Sequence, residues 1–222
     1  MWKQCLRHVL FLHWPLEAAI IRKHIPRPLA VDQYENQAWL SLVVVRLEIA
    51  LASIPWPRLR FPQVNLRTYV RYRDRPGIWF FSLHPHHQFA SNVARWMTPL
   101  PFRHAHVHYQ LGRHGGRIHA VCRHRCYLEL DIMFTITSST ATCATLETWL
   151  LERYHVFAVN RRGTLLVGNF QHEPWQTFQA QVDNCRFSAA PLLGLNFPAP
   201  PVANFSLGVD GQFGSFQPLI GA

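Results

Sequence analysis

Apolar and polar residues alternate with a period of two through most of this chain, and helical spacing surfaces only in short stretches. Residues 8–12 predict a first strand, and residues 38–50 a long apolar one broken by Arg46 and Glu48. Residues 64–73 and 78–83 alternate on either side of Asp74-Arg75-Pro76-Gly77, the composition of a turn, so they predict a hairpin. Residues 104–111 and 117–125 repeat the arrangement around Gly112-Arg113-His114-Gly115-Gly116, and residues 157–159 and 164–170 around Arg161-Arg162-Gly163. Pro15 suits the first position of a helix running to residue 23, with Leu16, Ala19, Ile20 and Lys23 at helical spacing; Pro26 and Pro28 stop it. A short helix is predicted over residues 90–97. The clearest helix covers residues 146–154, where Leu146, Trp149, Leu150 and Tyr154 share one face. No internal repeat is visible. The pattern predicts an α+β, β-dominated single domain over residues 1–222, a partly closed antiparallel β-barrel with flanking helices.

Composition narrows the classes. With 49% hydrophobic and 13% aromatic residues in 222, the chain buries a core and is not disordered. The net charge of +10 raises an acidic partner. Yet the arginines scatter from Arg7 to Arg186 with no run longer than Arg161-Arg162, which argues against nucleic acid. Lys3 and Lys23 are the only lysines, so any chemistry needing a buried amine has two candidates. Five cysteines, an odd number, argue for a reducing compartment over a disulfide framework. The apolar run at residues 9–12 is too short for a signal peptide, and prolines interrupt the long uncharged stretch over residues 187–209. A cytoplasmic protein with no membrane segment is expected.

Candidate chemistry concentrates in Asn65-Leu66-Arg67-Thr68-Tyr69-Val70-Arg71. Alternation puts Asn65, Arg67, Tyr69 and Arg71 on one strand face. Facing an interior, they would offer a carboxylate or phosphate a guanidinium fork, an amide and a phenol. Facing outward, they would be a solvated strand surface. The next strand, Trp79-Phe80-Phe81-Ser82-Leu83, is aromatic on both faces; Trp79 and Phe81 are the candidates to wall a pocket, with core packing the alternative. Arg153 at the end of the clearest helix and His172 beside Pro174-Trp175 are further candidates for a pocket mouth, or else a solvated helix end and a packed corner. His104, His106 and His108 alternate, but same-face strand neighbours stand about 7 Å apart, too far for three to share one ion. His84, His86 and His87 are expected to be solvated. Cys122, His124 and Cys126 lack the second ligand pair of a structural zinc site. No metal and no cofactor are expected. Walker, G-x-S-x-G, H-E-x-x-H and G-x-G-x-x-G signatures are absent.

Several segments in order carry a family resemblance: His13-Trp14-Pro15, Asn65 to Val70, Pro76 to Leu83, Glu152-Arg153-Tyr154, His172-Glu173-Pro174-Trp175 and Phe205 to Asp210. Together they resemble the bacterial YqjF-like family of uncharacterised proteins in the acetoacetate decarboxylase-like superfamily, over nearly the whole chain. The resemblance implies an acetoacetate decarboxylase-like fold and a pocket for a small carboxylate or oxo acid. It also implies that the uncharged C-terminal segment is the closing loop and last strand. The superfamily's founding enzymes decarboxylate a β-keto acid through a Schiff base on a pocket lysine. Residues 82–104, the corresponding region, hold Arg95 but no lysine, and arginine stays protonated. A Schiff-base decarboxylase is therefore not expected. The expected function is carboxylate binding by Asn65, Arg67 and Tyr69, walled by Trp79 and Phe81, with Arg153 and His172 nearby. The alternative is a non-catalytic partner-binding module, with an apolar patch at residues 198–205. No oligomeric state follows.

Overall fold

The computed structural model describes residues 2–49, 58–122, 127–140, 145–190, 195, 197 and 202–219. Along these run β1 (Trp2–Leu16), α1 (Ala18–Arg22), β2 (Ala30–Val31), β3 (Ala38–Ile49), β4 (Leu59–Tyr72), β5 (Arg75–Pro85), α2 (Gln88–Met97), β6 (His106–Leu111) and β7 (Gly115–Cys122). They are followed by β8 (Leu128–Thr140), α3 (Thr145–Leu151), β9 (His155–Val159), β10 (Leu165–His172), β11 (Phe178–Ala189), β12 (Val202–Phe213) and β13 (Gln217–Pro218).

The main path of the sheet runs β13-β10-β9-β5-β4-β3-β1-β12-β11-β8-β7-β6. β12 turns it into a ring. One edge of β12 pairs with β1, from Trp2↔Phe213 to His13↔Val202. Its other edge is divided: Gly211, Gln212 and Phe213 pair with β10, while Asn204 and Phe205 pair with β11. The first junction closes a ring of β1, β3, β4, β5, β9, β10 and β12, and the second starts a wing of β11, β8, β7 and β6. The partly closed architecture expected from the alternation is thus present, with one departure. β5 and β9 run parallel, at Ile78↔Val156 and Trp79↔Phe157. Gly77 permits that approach, because a Cβ there would stand 2.7 Å from both the His155 carbonyl oxygen and the Phe157 ring. Gly77 therefore lies inside β5, and the turn tightens to Arg73-Asp74 between paired Tyr72 and Arg75.

Both faces of the central strands are buried, which is why β3 reads as nearly continuous apolar sequence. Leu10, Leu12, Leu40, Leu42 and Leu66 cluster with Ile118, Leu130, Ile132 and Phe134 of the wing. On the opposite face Val9, Phe11, Val43, Val45, Ile78 and Val156 pack inside the ring with Leu150 and Leu151 of α3. Each such side chain contributes roughly 1.5–3 kcal/mol by leaving water.

Two bulges keep the inner face continuous. Between β1 and β3 the register passes from Arg7↔Arg46 to Leu10↔Val44, with His8 in the left-handed region at φ 50. Gln4 and Leu6 face the interior before this bulge and Phe11 after it. Between β4 and β5, Leu66↔Ser82 is followed by Arg67↔Phe80, leaving Phe81 as the extra residue. Two residues then oppose one, and the alternation changes phase.

α1 and α3 are shorter than their spacing predicts, whereas α2 starts two residues before the expected 90–97. β1 continues through Pro15 to Leu16, which pairs with Ala38, so sheet pairing displaces the expected start of α1. α3 ends at Leu151, before Tyr154. No helix of the described residues is long and apolar enough to cross a membrane.

Candidate functional site

The ring encloses a cavity of about 170 Å³, lined from all seven ring strands and by Ala90 and Ala94 of α2. Among the described residues no aspartate or glutamate lines it, whereas Arg67 and Arg153 both do.

Cross-strand register places the polar groups at one level. His13 pairs with Ser41 and Ser41 with Arg67, forming one lateral row. The next row holds Phe11, Val43 and Asn65, and further rows hold Val45 with Gln63 and Leu47 with Phe61. Asn65 Oδ1 accepts from Gln63 Nε2 at 2.8 Å. Nε and Nη2 of Arg67 are buried and meet no acceptor of the described residues. Its guanidinium carbon stands 5.9 Å from the centre of the Tyr69 ring.

Arg153 is held from several sides. Its Nε donates to the Trp149 carbonyl at 2.6 Å and its Nη1 to Asp32 Oδ2 at 2.8 Å. The guanidinium lies over the Trp149 ring at 4.1 Å and the Tyr69 ring at 5.4 Å. The side chain is only 4% exposed, yet its Nη2 meets no acceptor among the described residues. Buried Asp32 is shared, since Oδ1 accepts from Arg71 Nη2 at 3.2 Å. Three guanidiniums thus converge on a region holding one carboxylate. Burial lowers the Arg153 pKa, Asp32 opposes that, and the Arg67 charge adds to the lowering.

His13 is fully buried, and its Nδ1 lies 3.2 Å from the Tyr69 hydroxyl. Burial first, and the Arg67 charge second, push its pKa down to about 3, so the ring is neutral at ordinary pH. His13 Nε2 and Ser41 Oγ have no hydrogen-bond partner among the described residues.

Asn65, Arg67, Arg153 and His172 all line the cavity. Tyr69 shares their inner face but sits just outside the lining, fully buried, its ring 4.8 Å from that of Trp149. Trp79 and Phe81 do not reach the cavity. They pack on the outer face of the ring against the cluster of Ile21, Val70 and Phe157, and Phe80 takes the wall instead. The bulge at Phe81 is the reason. His172 Nδ1 donates to the Glu173 carbonyl at 2.7 Å, and its ring stacks on Tyr154 at 4.9 Å. Glu152 accepts from Trp175 N at 2.9 Å and from the Tyr154 hydroxyl, so it fastens the outer loop while Arg153 turns inward.

The spacing did not single out His13, Ser41 or Asp32. Ser41 left a signal, a lone hydroxyl in the apolar stretch that precedes Arg46. Of His84, His86 and His87, expected to be solvated, one is buried in β5 and one is engaged at a helix end. His84 is fully buried, with its pKa lowered to about 4 by burial and then by Arg103, and His87 caps α2 by accepting from Ala90 N. The His124 and Cys126 positions, and residues 198–201 of the expected apolar patch, lie outside the described residues. No group of three or more metal-ligating side chains with suitable geometry occurs among the described residues.

Ring, wing and interior together make the acetoacetate decarboxylase-like fold. The acetoacetate decarboxylase of Legionella pneumophila matches with a TM-score of 0.69 over 98% of this chain and 87% of that one, at 9% identity. The enduracididine biosynthesis enzyme MppR, complexed with pyruvate, matches at 0.67 over 98% of this chain and 90% of that one, at 13% identity. Within this fold the chain belongs to the DUF2071 family, described as an uncharacterized conserved protein, whose model matches residues 3–210. It is 31% identical over 225 residues to the uncharacterized protein YqjF of Bacillus subtilis (strain 168), covering 95% of this chain and 89% of that protein.

Proposed function

We propose that the protein binds a small carboxylate of the oxo-acid class inside the strand ring, without Schiff-base chemistry. Arg67 carries the reading: its buried Nε and Nη2 meet no acceptor among the described residues, and neither does Nη2 of Arg153, which lines the same cavity. An unpaired buried charge costs several kcal/mol. A unit anion about 4 Å away returns about 4 kcal/mol at an effective dielectric of 20. A carboxylate with an adjacent oxo group offers acceptors for all three N–H groups, with Asn65 positioned to orient it. The pyruvate complex of MppR, which shares the fold, supports the ligand class. Lys3 and Lys23 are exposed and neither lines the cavity, so no amine stands ready to form an imine. The free thiols of Cys5 and Cys185 support a cytoplasmic setting.

A thermal-shift screen of oxo acids tests the reading. Pyruvate-like acids at a hundred times their Kd should stabilise the wild type by about 2.7 kcal/mol, a rise of roughly 5–10 °C in Tm. Arg67→Met should abolish the rise, and the surface control Arg162→Met should keep it. Carboxylates that leave Tm unmoved, or an Arg67→Met variant that retains the full shift, would sink the proposal.

A further inference from the structure

We propose that the ligand is an amphiphilic carboxylate, whose charged end meets Arg67 and Arg153 and whose apolar tail runs along the ring interior. This rests on the carboxylate reading above and adds the tail. The cavity is polarised along the strands. Its cationic groups lie at the level of Arg67 and Ser41, while rows toward Phe61 and Ile49 present Leu6, Val45, Leu47 and Leu83 with only uncharged polar neighbours, Gln63, Gln4 and His172. From Arg67 to Phe61 is six residues of strand, about 20 Å. On that path Gln63 donates to Asn65, so those two amides are tied to each other at one point.

Size points the same way. Cavities of about 150 Å³ in protein cores hold a benzene-sized guest. This one is about 170 Å³ and also carries an ionic end. A three-carbon acid would fill the polar end and leave the apolar walls without contact, forfeiting their dispersion attraction. A tail of about four carbons fills the remainder. Ala90 and Ala94 of α2 present only methyl groups to this space, so neither occupies the tail's place.

Titration calorimetry with straight-chain acids from acetate to decanoate, and with octan-1-ol, reads the tail and the head separately. The expected result is an affinity that rises about fourfold per methylene up to hexanoate and then levels. Arg67→Met should abolish binding across the series. Val45→Phe, which fills the tail space, should move the optimum to shorter acids and leave acetate unchanged. If acetate and pyruvate bind as tightly as hexanoate and Arg67→Met still abolishes them, the tail is wrong and the carboxylate reading survives. If octan-1-ol binds as well as octanoate and Arg67→Met changes nothing, or if no acid binds, both are wrong.

Discussion

Arg67 and Arg153 stand in the same interior with unequal support. Asp32, a backbone carbonyl and two aromatic faces fix Arg153, whereas Arg67 has the Tyr69 ring and no carboxylate among its described contacts. A buried guanidinium with open donors is what a bidentate anion fits. The neutral histidines give this scale its own test. His13 and His84 have folded-state pKa values near 3 and 4, below the ordinary 6.5. Below pH 6.5 the unfolded chain takes up their protons while the folded chain does not, so stability is full above 6.5 and falls as pH drops toward 4. The slope should approach about 1.4 kcal/mol per pH unit for each histidine. Urea denaturation at stepped pH reads it, and His13→Gln should be measurably flatter; an unchanged slope would contradict the burial of this ring. The face carrying Asn65, Arg67 and Tyr69 was legible, because alternation on one strand needs only local geometry. The inward turn of Arg153 was not, because Glu152 and Arg153 are neighbours and only tertiary contacts decide which one enters.

At the scale of elements, the bulges decide what the cavity presents. Without the extra residue at Phe81, Trp79 and Phe81 would share the phase of Leu83 and face inward. Alternation located both strands of this hairpin but carried no mark of the slip, which turns Phe80 toward the ring interior and Trp79 and Phe81 to the other face. β8 alternates cleanly as Leu128, Leu130, Ile132 and Phe134 against Glu129 and Asp131, and sequence could have yielded it. β11 alternates as well, with Phe178, Ala180 and Val182 and then, past a register shift, Cys185 and Phe187 turned to the core, so its pattern was also there to be read. The β1 bulge leans on β12. Gly208 there holds φ +131, and a Cβ would stand 2.0 Å from the Leu6 carbonyl oxygen. Gly208→Ala should therefore lower unfolding free energy by at least about 2 kcal/mol, from backbone strain and displaced pairing. Chemical denaturation checks this, and wild-type stability in that variant would contradict the stated register.

For the whole molecule, ring closure through β12 converts strands far apart in sequence into one enclosed interior. Sequence alternation implied a partly closed sheet, but the β10–β12 junction and the parallel β5–β9 contact depend on long-range pairing that no local pattern encodes. The charge of +10 takes on a different meaning at this scale. Most arginines are spread over exposed or half-buried positions, whereas Arg67 and Arg153 are turned into a space lined by no acid. The central claim is that a carboxylate sits at these two groups inside the ring. A crystal structure grown with hexanoate tests it most directly. Carboxylate density is expected within hydrogen-bonding distance of Arg67 and Arg153, with the tail toward Val45 and Leu47. Ligand density confined to the outer surface, with none at Arg67, would contradict it.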